Sequence, residues 1–385
     1  MTEASREFIF RATGRYFAQT QGGLNDIASE ELEELGAFDC KTSYNGVFFS
    51  APDEALYRIN YMAKTISRVL APMVSFTIHN EKELYKKCLN IEWESFMSLD
   101  TTFSVSSSVS GSRITHSRFA ALRVKDAIAD RFRERTGKRP DVDTEEPDIP
   151  LNLNIRNNFC TLSFDTSGRS LHKRGYRINP VSAPLHETLA AAILRISGWD
   201  GSVPLYDPMA GSGTILGEAL LMLGNRPSSV KKRSFGFFHL PGFDKKIWRE
   251  VKHNCDAGIR TVQAGLISGS DIEKHHVKAA RQNMNEIRDG EHIKIVTKDF
   301  HEIDSIENAM IISNLPYGHR LGNEEEAGEL YTEFGDFLKQ RCRGSKAFLL
   351  CGSTKLVKKI GLRTTRKIPL FNGPIETRLI ELNLY

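Results

Sequence analysis

Apolar runs and amphipathic stretches alternate along the second half of the chain. From about residue 180 onward, short apolar runs that predict strands are followed by stretches with helical spacing, which is typical of a parallel sheet covered by helices on both faces. The apolar run 203–206 ends at Asp207, and a glycine-rich turn leads into a helix predicted over 215–223. Strand, turn and helix in this order open a doubly wound α/β domain, whose ligands bind at the carboxyl ends of the strands.

The first 167 residues follow a different order of elements, which predicts two α+β units. In the first unit, residues 1–65, strands are predicted at 8–12 and 47–49, and helices at 24–35 and 53–61. In the second unit, residues 66–167, strands are predicted at 74–78, 102–110, 151–155 and 159–164, and helices at 81–89 and 119–136. The first order is ferredoxin-like. The second places strands around one long, basic helix.

Positive charge is concentrated between residues 113 and 139, where nine basic residues face three acids. Basic side chains grouped on one helix are what phosphate contacts require, although a solvated helix face gives the same pattern. The candidates for contact with RNA in this segment are Arg113, Arg118, Arg131, Arg135 and Lys138. The linker 168–182 adds Lys173, Arg174 and Arg177, and it is interpreted either as a hinge or as a segment that contacts phosphates.

Composition narrows the class of protein. A length of 385 residues predicts two or three domains, and 40% hydrophobic with 26% charged residues is typical of a globular protein. The sequence contains neither an apolar run long enough to span a membrane nor a secretory h-region. The six cysteines are scattered without a Cys-x-x-Cys pair, so we expect reduced thiols, no metal site and a cytoplasmic location. The oligomeric state stays open.

The glycine turn disfavours two kinds of ligand, nucleoside triphosphates and dinucleotides. It lacks the Gly-Lys-Ser/Thr of a triphosphate-binding loop. It also lacks the third glycine of the dinucleotide spacing, since Leu216 stands at that position, and this disfavours a dehydrogenase. A ligand without a pyrophosphate fits better. An acid at the end of the following strand, Asp271, is positioned to accept the hydroxyls of a ribose.

A second signal is the sequence Asn-Leu-Pro-Tyr at 314–317, directly after the apolar run 310–312. A glycine turn combined with Asn-x-Pro-Tyr at a strand end resembles S-adenosylmethionine-dependent methyltransferases that modify exocyclic amines of bases. The basic unit 66–167 resembles a THUMP domain, an RNA-binding module. The string 171–193 resembles the linker of bacterial THUMP-linked guanine-N2 methyltransferases, and the insertion 225–264 and the C-terminal tail resemble the ribosomal RNA enzymes among them.

The resemblance implies a class I (Rossmann-like) methyltransferase domain with a mostly parallel, seven-stranded sheet over residues 183–385. It places Asp299 near the adenine amine and Phe300 against the adenine ring. The complete set of candidate residues for binding S-adenosylmethionine is Pro184, Leu185, Asp207, Pro208, Ala210, Gly211, Gly213, Thr214, Asp271, Ile272, Asp299, Phe300 and Asn314.

The chemistry of guanine N2 explains the Asn-Leu-Pro-Tyr motif. This amine is a poor nucleophile because its lone pair is delocalised into the ring. The Asn314 side-chain oxygen and the Leu315 carbonyl can accept its two N–H bonds and direct the lone pair at a methyl group. Pro316 fixes the backbone and removes a competing donor, and Tyr317 can stack on a base swung out of its helix. Catalysis would need neither a metal nor a covalent intermediate.

The sequence therefore predicts an S-adenosylmethionine-dependent RNA guanine-N2 methyltransferase that acts on large-subunit (23S) ribosomal RNA. Transfer RNA is the close alternative substrate, because the same pair of domains serves both. An adenine-N6 DNA methyltransferase shares the Asn-x-Pro-Tyr logic. A non-enzymatic RNA-binding protein is a further alternative, which the absence of S-adenosylmethionine binding would indicate.

Overall fold

The computed structural model describes residues 7–179, 185–231, 233–317 and 324–385. Within these ranges the chain forms two seven-stranded sheets, one in each half. The buried apolar side chains of strands and helices form the cores, which lie on the side or sides of each sheet that helices cover.

The N-terminal half is one continuous sheet with the order β2-β3-β1-β4-β7-β6-β5. Its strands are β1 Arg15–Gln19, β2 Phe38–Ser43, β3 Gly46–Ser50, β4 Arg68–Thr77, β5 Phe103–Ser110, β6 Ile149–Arg156 and β7 Phe159–Asp165. Its helices are α1 Ile9–Thr13, α2 Asn25–Glu34, α3 Asp53–Met62, α4 Glu81–Leu89 and α5 Ser117–Thr136. Strand β4 pairs with β1 on one side and with β7 on the other, so the two predicted α+β units share it.

One predicted element of this half is wrong. Residues 8–12 were expected to form a strand, but they belong to the short helix α1, and the first strand begins at Arg15. Phe10 on this helix is 1% exposed and packs into the core, and Gly14 ends the helix in the left-handed conformation with a φ of 63°. Tertiary packing of one aromatic side chain therefore decides the conformation of a segment whose residues also favour strands.

The C-terminal half has the strand order β10-β9-β8-β11-β12-β14-β13. Its strands are β8 Leu205–Asp207, β9 Ile267–Asp271, β10 Lys294–Thr297, β11 Met310–Asn314, β12 Lys346–Cys351, β13 Arg366–Asn372 and β14 Ile375–Asn383. Its helices are α6 Glu187–Ser197, α7 Thr214–Leu223, α8 Lys245–Ala257, α9 Lys274–Asn285, α10 Glu324–Arg341 and α11 Thr354–Lys359. The first five strands in this spatial order, from β10 at the edge to β12, pair in parallel. The hairpin β13–β14 completes the sheet, with β14 antiparallel to β12. The predicted class of sheet is confirmed.

The insertion 225–264 packs against the N-terminal half. Its aromatic side chains pack on helix α3: Phe237 stacks on Tyr57 with ring centroids 4.7 Å apart, and Trp248 meets Tyr61 edge to face with centroids 5.4 Å apart. The Tyr61 hydroxyl also donates to Asp256 on α8 at 2.6 Å. These aromatic residues bury apolar area between the two halves of the chain, so packing accounts for them and contact with nucleic acid does not.

No helix in the described ranges has both the length and the apolar character needed to cross a membrane.

Candidate active site

A cavity of about 660 Å³ lies where strands β8, β9 and β11 end, within the usual size range of small-molecule sites. Parallel strands bring their carboxyl ends to one edge of the sheet, so the glycine turn after β8 and the Asn-Leu-Pro-Tyr motif after β11 meet there. The predicted site residues that line it are Leu185, Asp207, Pro208, Ala210, Gly211, Thr214, Asp271, Ile272, Asp299, Phe300, Asn314 and Pro316. Pro184 lies outside the described residues.

The two glycines of the turn have different roles. Gly211 has a φ of 54°, and a Cβ atom added to it would meet no atom within 4 Å, so this glycine leaves the backbone open to a ligand. Gly213 has a φ of 80°, and its Cβ would lie 3.2 Å from the Cβ of Ala280 on α9. Gly213 does not line the cavity; it allows α7 to begin close to α9, and the structure does not support it as a cofactor contact.

Asp207 joins the glycine turn to the strand that carries Asn314. Its carboxylate is 1% exposed and accepts the Ser313 hydroxyl at 2.7 Å and the Met209 N–H at 3.1 Å. Burial raises its pKa to about 7, against the lowering effect of those two hydrogen bonds. The side chain of Asp207 therefore fixes the two motifs relative to each other.

Asp271 accepts three hydrogen bonds from neighbouring protein groups. One carboxylate oxygen accepts the Gly211 N–H at 2.8 Å, and the other accepts the Glu273 N–H and the His276 Nδ1–H, both at 3.0 Å. A carboxylate offers about four acceptor positions, so little capacity remains for two ribose hydroxyls. His276 also lines the cavity and was missed from the sequence. The pair His275-His276 shortly after the strand-end acid was the available signal.

Asn314 carries an unusual acceptor. Its side-chain oxygen is buried and has no hydrogen-bond partner among the described residues, although Asn314 lines the cavity. A buried polar atom without a partner costs about 1–3 kcal/mol, and such an atom at a cavity wall is satisfied when a ligand donates to it. The next residue, Leu315, is 1% exposed, and its N–H donates to the Leu350 carbonyl at 3.1 Å. This bond holds the motif on strand β12.

Tyr317 does not face the cavity. It is 7% exposed, its hydroxyl accepts a hydrogen bond from the Asn372 amide at 2.9 Å, and it packs beside Gly352. The cavity lining does not include Tyr317. The expected stacking of Tyr317 on a base is therefore corrected: in this structure the side chain ties the motif to strand β13. Residues 318–323, which follow it, lie outside the described ranges.

Asp299 and Phe300 line the cavity at the end of β10. The Asp299 carboxylate accepts the N–H of His301 at 3.0 Å and its ring Nδ1–H at 2.8 Å, which caps a single 3₁₀ turn. Phe300 is 5% exposed and packs edge-on against Phe334 on α10. His301 also lines the cavity, and it too was missed from the sequence.

Two of the three basic residues predicted in the linker are structural. Arg174 is fully buried and binds Glu218, so it cannot contact a phosphate. Arg177 donates to the Leu185 carbonyl at 2.7 Å and to the Thr214 hydroxyl at 3.0 Å, and it therefore holds two cavity-lining residues in place. Lys173 is exposed and stays a candidate for contact with RNA.

The basic helix α5 keeps most of its predicted surface residues, but Arg131 is a correction. It is 8% exposed and donates to Glu94 at 2.9 Å and to the Leu89 carbonyl at 3.1 Å, so it packs α5 against the preceding segment. The other predicted RNA contacts of this segment are all exposed: Arg113, Arg118, Arg135 and Lys138. Arg135 also pairs with Glu94 at 3.0 Å.

The parallel sheet with its antiparallel hairpin, the glycine turn after β8 and the cavity bounded by Asn314 define a class I methyltransferase domain. Comparison with family models agrees. Residues 174–381 match the model described as the RMKL-like methyltransferase domain, residues 79–165 match the THUMP domain, and residues 15–70 match the RlmL ferredoxin-like domain. The chain belongs to the family of RMKL-like methyltransferases.

Named relatives extend over the whole chain. A protein of Synechocystis sp., provisionally named as an RNA methyltransferase, is 40% identical over 378 residues, which is 98% of each chain. The ribosomal RNA large subunit methyltransferase K/L of Syntrophotalea carbinolica is 36% identical over 96% of this chain, and that of Shewanella frigidimarina is 35% identical over 94%. The chain spans about half the length of these two relatives, 53% and 51%.

Solved structures resemble the complete fold. The crystal structure of SMU.472, provisionally described as a methyltransferase and complexed with SAH, superposes with a TM-score of 0.84 at 25% identity, over 96% of this chain and 98% of that one. A predicted N6-adenine-specific DNA methylase from Listeria monocytogenes superposes with a TM-score of 0.82 at 28% identity, over 96% of both chains.

Proposed function

We propose that this protein transfers a methyl group from S-adenosylmethionine to the exocyclic N2 amine of a guanine in RNA, with large-subunit ribosomal RNA as its substrate. The observation that carries the proposal is the buried oxygen of Asn314 in the wall of the cavity, which has no hydrogen-bond partner among the described residues. An amine held in the cavity would supply an N–H to this oxygen.

The residues around the cavity fit the proposed cofactor. The open backbone at Gly211 leaves space that a Cβ atom would fill. Ile272 is 62% exposed at the cavity and offers an apolar surface to an adenine ring. Because little acceptor capacity remains on Asp271, the ring of His276 beside it, which also lines the cavity, is the polar group available to a ribose. The SAH complex of the structurally similar SMU.472 supports this assignment. When bound, the cofactor supplies an electrophilic methyl group on a sulfonium.

The protein's part in the reaction is to hold and orient the amine. The Asn314 oxygen and the Leu315 carbonyl accept the two N–H bonds of guanine N2, which localises the lone pair on nitrogen. A bound S-adenosylmethionine would supply the methyl group to this lone pair, and the nitrogen would release one proton to solvent after the transfer. Asp207 and Ser313 keep the acceptors of Asn314 and Leu315 in register with the glycine turn. Positioning of this kind needs no acid or base of perturbed pKa.

The choice of RNA as substrate is supported by the THUMP match and by the names of the relatives. Exposed basic residues in and around helix α5 provide the charge that phosphate contacts need. The DNA methylase name of the Listeria relative keeps adenine N6 as a second candidate target, because the two carbonyl-type acceptors at Asn314 and Leu315 would serve either amine. Transfer RNA remains the alternative to ribosomal RNA.

The amine acceptor is tested with Asn314→Ala. We expect this variant to lose methyl transfer by a factor of 100 or more, since removal of one positioned polar group costs about 2.7–4 kcal/mol in comparable sites, while its affinity for S-adenosylhomocysteine in calorimetry stays nearly unchanged. Asn285→Ala, at an exposed position of α9, is the matched control and should behave as wild type. Substantial turnover by Asn314→Ala would remove Asn314 from the proposed chemistry.

The substrate is tested by mass spectrometry of nucleosides. Ribosomal RNA, transfer RNA and genomic DNA from a deletion strain are digested separately, and the strain complemented with the wild-type gene is the control. Loss of N2-methylguanosine from large-subunit ribosomal RNA alone is the expected result. Loss of N2-methylguanosine from transfer RNA alone would show that transfer RNA is the substrate. Loss of N6-methyladenine from DNA, with RNA methylation intact, would show that the protein is a DNA adenine methyltransferase and contradict the proposal.

A further inference from the structure

The N-terminal sheet presents aromatic side chains on the face that α2 and α3 do not cover. Along β1, Tyr16 and Ala18 point into the core, whereas Phe17 between them is only partly buried. Along β3, Val47 and Phe49 point into the core, whereas Phe48 is 50% exposed. Both outward residues stand on the two central strands of the β2-β3-β1-β4 segment.

The outward aromatic side chains are neighbours. Phe17 and Phe48 are cross-strand partners, with ring centroids 4.8 Å apart and a tilt of 53°. Phe17 lies over Gly46, where an added Cβ would stand 2.5 Å from the ring, so the absence of a side chain there leaves room for the ring. Phe38 is 54% exposed and pairs with Ser50, which lies on the same face as Phe48. Phe17, Phe38 and Phe48 form what we call the aromatic platform.

Positive charge borders the aromatic platform. Lys41 stands directly across from Phe48 in the pairing of β2 with β3, and Arg15 lies two residues before Phe17 on the same face of β1. Both are exposed, and neither forms an ion pair with an acid in the described ranges. Arg68, also on this face, is already paired with Asp165, and Asp39 at the bulge of β2 is the nearest acid in sequence to Lys41.

A structural role alone does not account for this arrangement. A cross-strand aromatic pair contributes some stability to a sheet, but two half-exposed aromatic side chains, Phe38 and Phe48, beside the partly buried Phe17 on one face are typical of a binding surface. Sheets that bind single-stranded RNA stack bases on aromatic side chains of adjacent central strands, and flanking lysine and arginine residues follow the phosphates. The aromatic platform and its basic border match both requirements.

We propose that the aromatic platform binds an unpaired segment of RNA by stacking bases on Phe17 and Phe48, with Lys41 and Arg15 against the phosphates. This inference rests on the proposed function in one respect, that the ligand of the whole protein is RNA. It adds a second RNA contact to the one proposed for the basic helix α5. This second contact is made by the face of a sheet, and it combines base stacking with charge. The ligand that this surface would recognise is a single-stranded region of RNA next to the modified nucleotide.

The test uses the full chain and a single-stranded uridine oligomer in a fluorescence anisotropy titration. Phe48→Ala should weaken binding about tenfold, since stacking on one aromatic side chain is worth about 1–3 kcal/mol per base. Phe48→Tyr should retain wild-type affinity, and Phe48→Leu, which keeps an apolar side chain without the ring, should be as weak as Phe48→Ala. Wild-type affinity in Phe48→Leu would overturn the stacking contact.

Two controls keep the result interpretable. Phe159→Ala removes a side chain of equal exposure, 50%, from strand β7 and should bind as wild type. Lys41→Glu should weaken binding and flatten its dependence on salt without removing any aromatic packing. If Phe48→Ala and Lys41→Glu both bind RNA as wild type does, the platform is not an RNA site, and a protein partner is what its exposed rings would fit.

The methylation assay separates this inference from the proposed function. With total RNA as substrate, Phe48→Ala should raise KM for RNA about tenfold and leave kcat and the affinity for S-adenosylhomocysteine unchanged. A wild-type protein that methylates no RNA contradicts the proposed function, whatever the platform does. A wild-type protein that methylates RNA with the same KM as Phe48→Ala contradicts the platform and leaves the proposed function standing.

Discussion

The buried ion pair between Arg174 and Glu218 gives the most direct prediction about stability. Arg174 makes four hydrogen bonds: two of 3.1 Å to the Glu218 carboxylate, one of 2.7 Å to the Leu171 carbonyl and one of 2.6 Å to the Lys64 carbonyl. Lys64 belongs to the N-terminal half and Glu218 to helix α7 of the methyltransferase domain. One guanidinium group therefore connects both halves and the linker.

The magnitude follows from burial. Both side chains are 0% exposed, so Arg174→Ala leaves a buried carboxylate whose remaining described partner is the Tyr176 hydroxyl at 3.0 Å. Breaking a buried pair by removing one partner costs about 3–5 kcal/mol, because the other charge stays desolvated. A typical domain has a free energy of unfolding of about 5–15 kcal/mol. The variant should consequently lose a large part of the stability of this junction.

A double variant and an exposed control separate charge burial from lost contacts. Arg174→Met combined with Glu218→Leu removes both charges and keeps apolar volume, so it should recover most of the stability lost in Arg174→Ala. Arg169→Ala breaks an exposed pair with Glu146, in which the side chains are 51% and 69% exposed. That change should lower the free energy of unfolding by no more than about 1 kcal/mol.

The assay is urea unfolding followed by circular dichroism, together with RNA affinity measured well below the unfolding transition. We expect a lower unfolding midpoint in Arg174→Ala and, for the fraction that remains folded, RNA affinity with an unchanged salt slope. The reverse outcome, with wild-type stability and a smaller salt slope, would show that Arg174 contacts phosphates after all and that the argument from burial is wrong.

Two further predictions concern the glycine turn and the acid before it. Gly213→Ala should destabilise the fold by about 1–2 kcal/mol, because its φ of 80° and its contact with α9 both oppose a side chain. Gly211→Ala shares the strain of a positive φ, 54°, but its Cβ would meet no neighbouring atom, so it should cost less stability. It should in addition weaken S-adenosylhomocysteine binding in calorimetry, since Gly211 lines the cavity. Asp207→Asn should change how stability depends on pH. Burial raises the pKa of Asp207 from 3.8 to about 7, so between these values the folded chain keeps a proton that the unfolded chain has lost, and wild-type stability falls as pH rises. The variant should lack that part of the decline, by roughly 4 kcal/mol in total, and parallel stability curves for the two proteins would contradict the raised pKa.

The position of the candidate active site could be predicted from the sequence because it depends on topology. An apolar run predicts a strand, a parallel sheet brings strand ends to one edge, and residues directly after two such strands must then be close. Asp207, Asp271 and Asn314 all follow apolar runs, and all three line one cavity. No long-range contact had to be known in advance.

The roles of the basic residues could not be predicted in this way. Arg131 and Arg174 are buried and paired with carboxylates that lie 37 and 44 residues away in the sequence. Nothing in the local pattern distinguishes them from the exposed Arg118 or Lys173. Charge density along a chain reports how many cations a segment has, but not which of them the fold pairs with an acid. A basic segment therefore predicts an RNA-binding surface only when it is known which of its basic residues are buried.

The sequence also does not show which aromatic residues are buried and which are exposed. The insertion places aromatic side chains beside basic ones, a pattern that also suits contact with nucleic acid. In the structure, however, Phe237 and Trp248 pack against Tyr57 and Tyr61. Phe48, in a short apolar run, looks like part of a core and is half exposed. Which face of a strand is buried depends on where helices dock, and that is decided by the whole sheet. The stacking surface can consequently be recognised only once strand order and register are known.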